Sequence, residues 1–133
     1  MKKNLLLFSL ILLFGCKTIP KAQVITVGSG GGFTGVWQEY SLKPTGEILR
    51  HTSKPDTNVL VMTLSKSDTK KIFKEIVSLD LSKKQLDEPG NMSYFVSFAE
   101  GDKFSYRVVW GGKTPPADSV KQFYKSFMEV VNK

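Results

Sequence analysis

The hydrophobic pattern divides the chain into an apolar start and a longer region in which apolar and polar residues alternate. Residues 5–14 form an apolar run interrupted only by Ser9, whereas from residue 24 onward the apolar positions recur with the periods of strands and helices. A run of about ten residues is too short to cross a bilayer, which takes about 20. We therefore expect a targeting segment at the start, followed by a folded region.

Three strands are predicted before the first helix. Period-two alternation favours strands at 36–43, 48–52 and 58–64, and a turn containing proline and glycine separates the first two. The short β-branched run at 24–27 fits either an additional first strand or the end of a linker. The glycine-rich stretch 28–35 that follows this run is interpreted as a loop.

Two helices are predicted from capping residues and helical spacing. Ser65 is a favourable N-cap, Asp68 follows three residues later, and apolar residues recur on one face as far as Leu79. The second helix is predicted to start at Ala117 or Asp118 and to continue to the end of the chain. Its apolar face is expected to complete a hydrophobic core.

A β-hairpin is predicted between the two helices, with strands at 93–99 and 103–110. Alternation places seven large residues on one face of it: Tyr94, Val96, Phe98, Phe104, Tyr106, Val108 and Trp110. The element order is three strands, a helix, two strands and a helix. For residues 24–133 this order predicts a single α+β domain, with one antiparallel sheet of four to five strands and two helices packed on one face.

The segment 13–16 (Leu-Phe-Gly-Cys) resembles the lipobox of bacterial lipoproteins. In that family the cysteine is acylated, the signal is removed just before it, and the acyl chains hold the protein on a membrane. The resemblance implies that residues 1–15 are a lipoprotein signal peptide, that Cys16 carries palmitate-like chains, and that residues 16–23 are a tether. An ordinary signal peptide with an unrelated cysteine, or a buried free thiol, is the alternative.

Charge and residue counts exclude several function classes. Removing Lys2 and Lys3 from the 19 basic residues leaves 17 against 12 acidic ones, a net charge of +5. This mild excess suits a protein near an anionic membrane and does not indicate nucleic acid as a partner. Because Cys16 is the only cysteine and His51 the only histidine, we expect no disulfide, no metal site, no Ser-His-Asp triad and no cofactor.

The residues after Cys16 bear on location. Lys17 rather than an aspartate follows the cysteine, which is unlike an inner-membrane retention signal, and residues 18–21 lack the acidic side chains of some surface-directed lipoproteins. The expected location is therefore the outer membrane, with the domain facing the periplasm.

The order of elements and several short motifs resemble small bacterial lipoproteins that carry a domain of unknown function. The motifs in this chain are Gly30-Gly31-Gly32-Phe33-Thr34-Gly35, Tyr40-Ser41-Leu42, Thr45-Gly46-Glu47, Leu64-Ser65, Gly90-Asn91-Met92 and Val109-Trp110-Gly111. The resemblance implies a shared fold and brings no established activity. Related domains often have cysteines in the opening loop, and their absence here removes a redox or metal role.

The glycine-rich stretch is the first candidate binding site. Gly30, Gly32 and Gly35 match G-x-G-x-x-G, but a strand follows instead of the helix that a dinucleotide site requires. The main interpretation is a loop with positive φ angles and close backbone packing. The alternative is a ligand loop formed by residues 30–34, namely Gly30, Gly31, Gly32, Phe33 and Thr34.

Aromatic residues suggest a second candidate. Trp37, Tyr40 and Trp110 lie beside glycine-rich loops and would suit a platform for a sugar or a peptide, with Lys113 in the loop 111–116 nearby. The alternative is that these aromatic residues belong to the core at the ends of the sheet.

Carboxylates are the remaining candidates for catalysis. Asp87 is adjacent to Glu88, and Glu39 and Glu47 lie on neighbouring predicted strands, but no pair is singled out as the acid and base of a glycosidase. The leading hypothesis is a lipid-anchored, non-enzymatic binding or assembly domain of the cell envelope, with a protein or glycan partner. A small glycan-acting enzyme and an inhibitor or immunity-type protein are the alternatives.

Overall fold

The fold is a six-stranded antiparallel sheet with two α-helices. The computed structural model describes residue 19 and residues 22–133, so the predicted signal peptide, Cys16 and most of the tether lie outside the described residues. The elements in chain order are β1 (Gln23–Gly31), β2 (Val36–Leu42), β3 (Glu47–Ser53), β4 (Asp56–Thr63), α1 (Lys66–Leu79), β5 (Met92–Glu100), β6 (Phe104–Trp110) and α2 (Asp118–Val131), with a short 3-10 helix at Leu81–Lys83.

The sheet confirms the α+β class and corrects the number of strands. Its order is β4-β3-β2-β1-β5-β6, which makes six strands where the sequence predicted four to five. The difference lies in β1, which runs through Gly28 to Gly31 where a loop was predicted. Because β1 pairs along its length with β2 and β5, both neighbours supply hydrogen-bond partners that outweigh the poor strand propensity of glycine.

Helix α1 begins where its capping residues predict. The Asp68 backbone N–H donates to the Ser65 hydroxyl at 3.1 Å, which satisfies one of the free amides of the first turn. Helix α2 begins after Ala117, which supplies no side-chain cap. Both helices therefore start at the predicted positions.

Both helices contribute to one core on a single face of the sheet. Ile25 and Val27 of β1 are buried there together with Phe73 of α1 and Phe123 of α2. The seven large residues of the predicted hairpin face all belong to this core or pack against it, as expected from the alternation. The opposite side of the sheet, which we call the helix-free face, has neither helix packed on it.

The two ends of the sheet differ in what they present. At the entry end, the Gly101 N–H donates to the Ala22 carbonyl at 3.1 Å, so the chain enters β1 beside the β5–β6 turn. The distal end is the opposite one, where β1 stops, and it is formed by residues 32–35, 53–56, 88–92 and 111–116. The antiparallel pairing places the candidate loops at the distal end.

The outer edges of the sheet are also unequal. At the β6 edge, the Val109 N–H donates to the Leu86 carbonyl at 2.8 Å and the Glu88 N–H donates to the Val109 carbonyl at 3.1 Å. A short segment of the chain thus protects this edge. At the β4 edge, the side chains of residues 56–60 are exposed. Within residues 22–133, no helix combines the length and apolar composition needed to span a membrane.

Candidate functional site

The glycine-rich stretch divides into a strand and a turn. Gly30 lies within β1 and Gly31 ends it, whereas residues 32–35 form the turn to β2. Gly31, Gly32 and Gly35 have φ angles of 98°, 66° and 61°, in the left-handed region that favours glycine. The prediction of positive φ angles is therefore confirmed for the end of the stretch.

The turn holds its backbone in place and leaves one large side chain free. The Gly32 N–H donates to the Asn91 carbonyl, and the Val36 N–H donates to the Thr34 hydroxyl at 3.3 Å. A Cβ at Gly32 would lie 2.9 Å from the Met92 sulfur, so Met92 packs closely against the turn. Phe33 is fully exposed, with a relative accessibility of 107%. An apolar ring is thus presented to solvent on a well-supported backbone.

The second candidate loop, residues 111–116, lies at the same end of the sheet. The Glu88 carboxylate accepts hydrogen bonds from the Thr114 backbone N–H at 3.0 Å and from the Thr114 hydroxyl at 2.9 Å. Lys113 is exposed. A Cβ at Gly111 would lie 2.2 Å from the Met92 carbonyl oxygen, so this loop also packs against the start of β5. Met92 therefore connects the two candidate loops.

The three aromatic residues of the predicted platform do not come together. Tyr40 and Trp110 are buried in the core, where the Trp110 ring lies 5.4 Å from Tyr124 and 6.0 Å from Tyr94. Trp37 lies on the helix-free face, because it is an odd number of residues from Tyr40 and successive side chains of a strand point to opposite faces. Tyr40 and Trp110 are therefore core residues, as the alternative interpretation expected.

Trp37 instead belongs to a group on the helix-free face that the sequence did not predict, which we call the Trp37 cluster: Trp37, Phe95 and Arg107. The Trp37 and Phe95 rings are 6.0 Å apart, and the Arg107 guanidinium carbon lies 3.8 Å from the centre of the Phe95 ring. Phe95 is only 1% exposed. This face therefore buries an aromatic ring although neither α1 nor α2 lies over it.

Two glycines of β1 make the Trp37 cluster sterically feasible. A Cβ at Gly28 would lie 2.7 Å from the Phe95 ring, and a Cβ at Gly30 would lie 2.4 Å from the Trp37 ring. Any side chain at these positions would lift the rings from the strand. The two glycines are two residues apart, so they lie on the same face of β1. Phe95 lies between core positions of β5 and therefore points away from the core. These two features of the sequence could have indicated the packing.

Next to the Trp37 cluster lies the histidine. His51 is directly opposite Glu39 in the pairing of β2 with β3. Its Nε2 is 2.8 Å from the Asp56 carboxylate and its Nδ1 is 3.7 Å from the Glu39 carboxylate. The side chains of His51 and Glu39 are 36% and 29% exposed. The arrangement offers hydrogen-bonding groups to a ligand on this face.

Three of the four carboxylates considered for glycoside hydrolysis, those of Glu39, Glu47 and Glu88, contact other groups. Glu39 is opposite His51, which is four residues along β3 from Glu47, so the two glutamates are about 13 Å apart along the strands. The Glu47 carboxylate accepts a hydrogen bond from the Thr45 hydroxyl at 3.2 Å, whereas the Glu39 carboxylate lies 3.7 Å from His51. Glu88 is occupied by the loop at Thr114, and Asp87 lies beside it at the β6 edge. Among the described residues, no three or more His, Cys, Asp or Glu side chains are arranged so that they could hold a metal ion.

The helix layer contains a groove of about 460 Å³ between α1 and α2. Its apolar lining includes Met62, Ile72 and Phe127, and Asp68 and Lys71 also line it. None of the residues that the sequence predicted for binding lines this groove.

One ionisable side chain in the core has a clear shift. Burial raises the pKa of the half-buried Tyr124 phenol, and the nearby hydroxyls of Tyr94 and Tyr40 raise it further, while a hydrogen bond with Ser29 acts in the opposite direction. Tyr124 therefore stays neutral at physiological pH and serves the packing around Trp110.

Comparison with models of known protein families finds no match to this chain, and comparison with curated proteins finds no similar sequence.

Proposed function

We propose that this chain is a lipid-anchored protein of the bacterial cell envelope that binds a partner without catalysing a reaction. The Leu-Phe-Gly-Cys segment at 13–16, which follows a short apolar run, supports lipidation of Cys16. The proposed location is the outer membrane facing the periplasm, because no acidic residue follows Cys16 in the tether.

The fold supports an orientation for such an anchored protein. Cys16 is six residues before Ala22, so it can lie at most about 20 Å from the entry end of the sheet. The nine residues of β1 then carry the chain about 30 Å to the distal end. The distal end would therefore face away from the membrane and toward a partner in the periplasm.

Full exposure of Phe33 at the distal end is the observation that carries the binding role. Burying a phenylalanine side chain contributes about 1.5–3 kcal/mol, so leaving this one in water forgoes a large stabilisation. Aromatic residues are enriched at the centres of protein interfaces. Because the turn around Phe33 is held by Asn91 and Met92, little conformational entropy would be lost on binding.

The binding role can be tested with Phe33→Ser and a matched control. Val77→Ser on α1 removes another exposed apolar side chain, which is 58% accessible. Chemical cross-linking in intact cells is expected to give the same partner products for the wild type and Val77→Ser, and to lose them for Phe33→Ser. Equal products from all three proteins would reject the distal end as the binding surface.

Lipidation and location need separate measurements. Labelled palmitate should be incorporated into the wild type and absent from Cys16→Ser. If the wild type carries no label, the proposed lipid anchor is rejected. A protease should digest the native domain only after the outer membrane is opened. Digestion on intact cells would place the domain on the cell surface instead.

A further inference from the structure

We infer that the helix-free face is a carbohydrate-binding surface centred on Trp37, a site separate from the proposed distal-end surface at Phe33. The Trp37 ring lies across Gly30, because a Cβ there would be only 2.4 Å from it. One side of the indole therefore rests on the strand, and because the Trp37 side chain is only partly buried, part of the ring is accessible to a ligand. A flat aromatic ring of this kind suits the apolar face of a pyranose.

Neighbouring contacts fix the orientation of Trp37. Its backbone N–H donates to the Ser53 hydroxyl at 2.9 Å, and its ring packs at 6.0 Å against Phe95. Phe95 is itself fully buried beneath the Arg107 guanidinium. Because these contacts exist before any ligand arrives, Trp37 would lose little side-chain entropy on binding.

Polar groups for the sugar hydroxyls lie on the same face. Glu39 is two residues from Trp37 along β2, about 7 Å away, and His51 lies directly opposite Glu39 on β3. Both side chains are partly exposed, so they can still accept or donate hydrogen bonds. An aromatic surface with a few fixed polar groups at its side is the usual composition of a small-molecule site.

The charges on this face favour a neutral ligand over a basic peptide. The position over the Phe95 ring where a ligand cation would bind is already taken by the Arg107 guanidinium, 3.8 Å from its centre. The Glu39 and Asp56 carboxylates both lie within 3.7 Å of His51, so each already has a partner within the protein and is not left for a cation of the ligand. A neutral pyranose can stack on the indole and form hydrogen bonds with the polar side chains. It carries no charge that would compete with Arg107 or His51 for their present partners.

Two-dimensional NMR of the full chain, in a detergent without a sugar headgroup, gives a direct test. The probes are chitotetraose and cellotetraose, with tetralysine as a charged comparison. The indole N–H signal of Trp37 is expected to shift saturably with at least one tetrasaccharide, whereas that of the buried Trp110 should stay in place. A Trp37 signal unmoved by both tetrasaccharides, or moved only by tetralysine, would overturn the proposal.

Variants separate this site from the rest of the molecule. Trp37→Ala should weaken tetrasaccharide binding at least about tenfold, and Glu39→Gln, which keeps the packing of the face, should weaken it about threefold or more. Phe33→Ser should bind the sugar as the wild type does, so failure of the distal-end surface and failure of this one are distinguishable. Unchanged affinity in a folded Glu39→Gln and in Trp37→Ala would reject the assignment.

Discussion

The two faces of the sheet bury aromatic side chains in different ways. On the helix-covered face, β1 contributes Ile25 and Val27, and the helices supply rings such as Phe127 above them. On the helix-free face, β1 contributes Gly28 and Gly30, and the rings come from the neighbouring strands. The comparison shows that a second packed layer does not require a second layer of helices when the central strand has no side chains in the way.

The packing on the helix-free face explains why the glycines of β1 are compatible with a strand. Glycine is unfavourable in strands because it loses more entropy and has no side chain to pack. Here the space above Gly28 and Gly30 is filled by the Phe95 and Trp37 rings, so the packing is supplied from the adjacent strands. The glycines act as a surface on which aromatic rings lie.

The largest expected effect is loss of the Phe95 ring. If the helix-free face is a true packed layer, Phe95→Ala should lower the free energy of unfolding by about 3–5 kcal/mol, as Phe127→Ala should in the main core. Denaturant unfolding of both variants measures this. A loss below about 1 kcal/mol for Phe95→Ala alone would mean that only the helix-covered face stabilises the fold.

A smaller effect is expected when a side chain is added to β1. Gly30→Ala places a methyl group against the Trp37 ring and should destabilise the protein by about 1–3 kcal/mol. In a Trp37→Ala background the same substitution should cost much less, because the ring that it displaces is gone. Equal costs in the two backgrounds would show that Gly30 is required for its backbone and not for the ring.

A weaker contribution is expected from Arg107. Arg107→Ala should lower the free energy of unfolding by about 0.5–1 kcal/mol, since the guanidinium of this exposed residue lies over the Phe95 ring. A double-mutant cycle with Phe95→Leu measures the coupling. Additive effects of the two substitutions would indicate that the contact contributes nothing.

The smallest expected effect concerns the helix-covered face at high pH. Because burial raises the pKa of Tyr124, its stabilisation is fully present below the ordinary tyrosine pKa of about 10 and is lost as pH rises through the raised value. Unfolding midpoints between about pH 9 and 11.5 should fall more steeply for the wild type than for Tyr124→Phe. Parallel profiles would show that folding does not raise the pKa of Tyr124.

The sequence predicted the fold better than the site. Ser65 with Asp68, and the alternation around Val96, mark elements whose cause is local, and both are confirmed. The platform of Trp37, Tyr40 and Trp110 was proposed from their position beside glycine-rich loops, but strand parity separates Trp37 from the other two. Arg107 and His51 could not be associated with Trp37, because their proximity depends on which strands are neighbours.

By itself, the sequence determined the α+β class, the capped start of α1, the amphipathic hairpin and the positive φ angles at the glycine turn, since all of these follow from spacing and backbone preference. Only the tertiary structure decided that Gly28 and Gly30 lie in a central strand beneath Phe95 and Trp37. The physical reason is that glycine carries no local signal for a strand. Its conformation in β1 is determined by the hydrogen-bond partners and aromatic rings of the neighbouring strands β2 and β5.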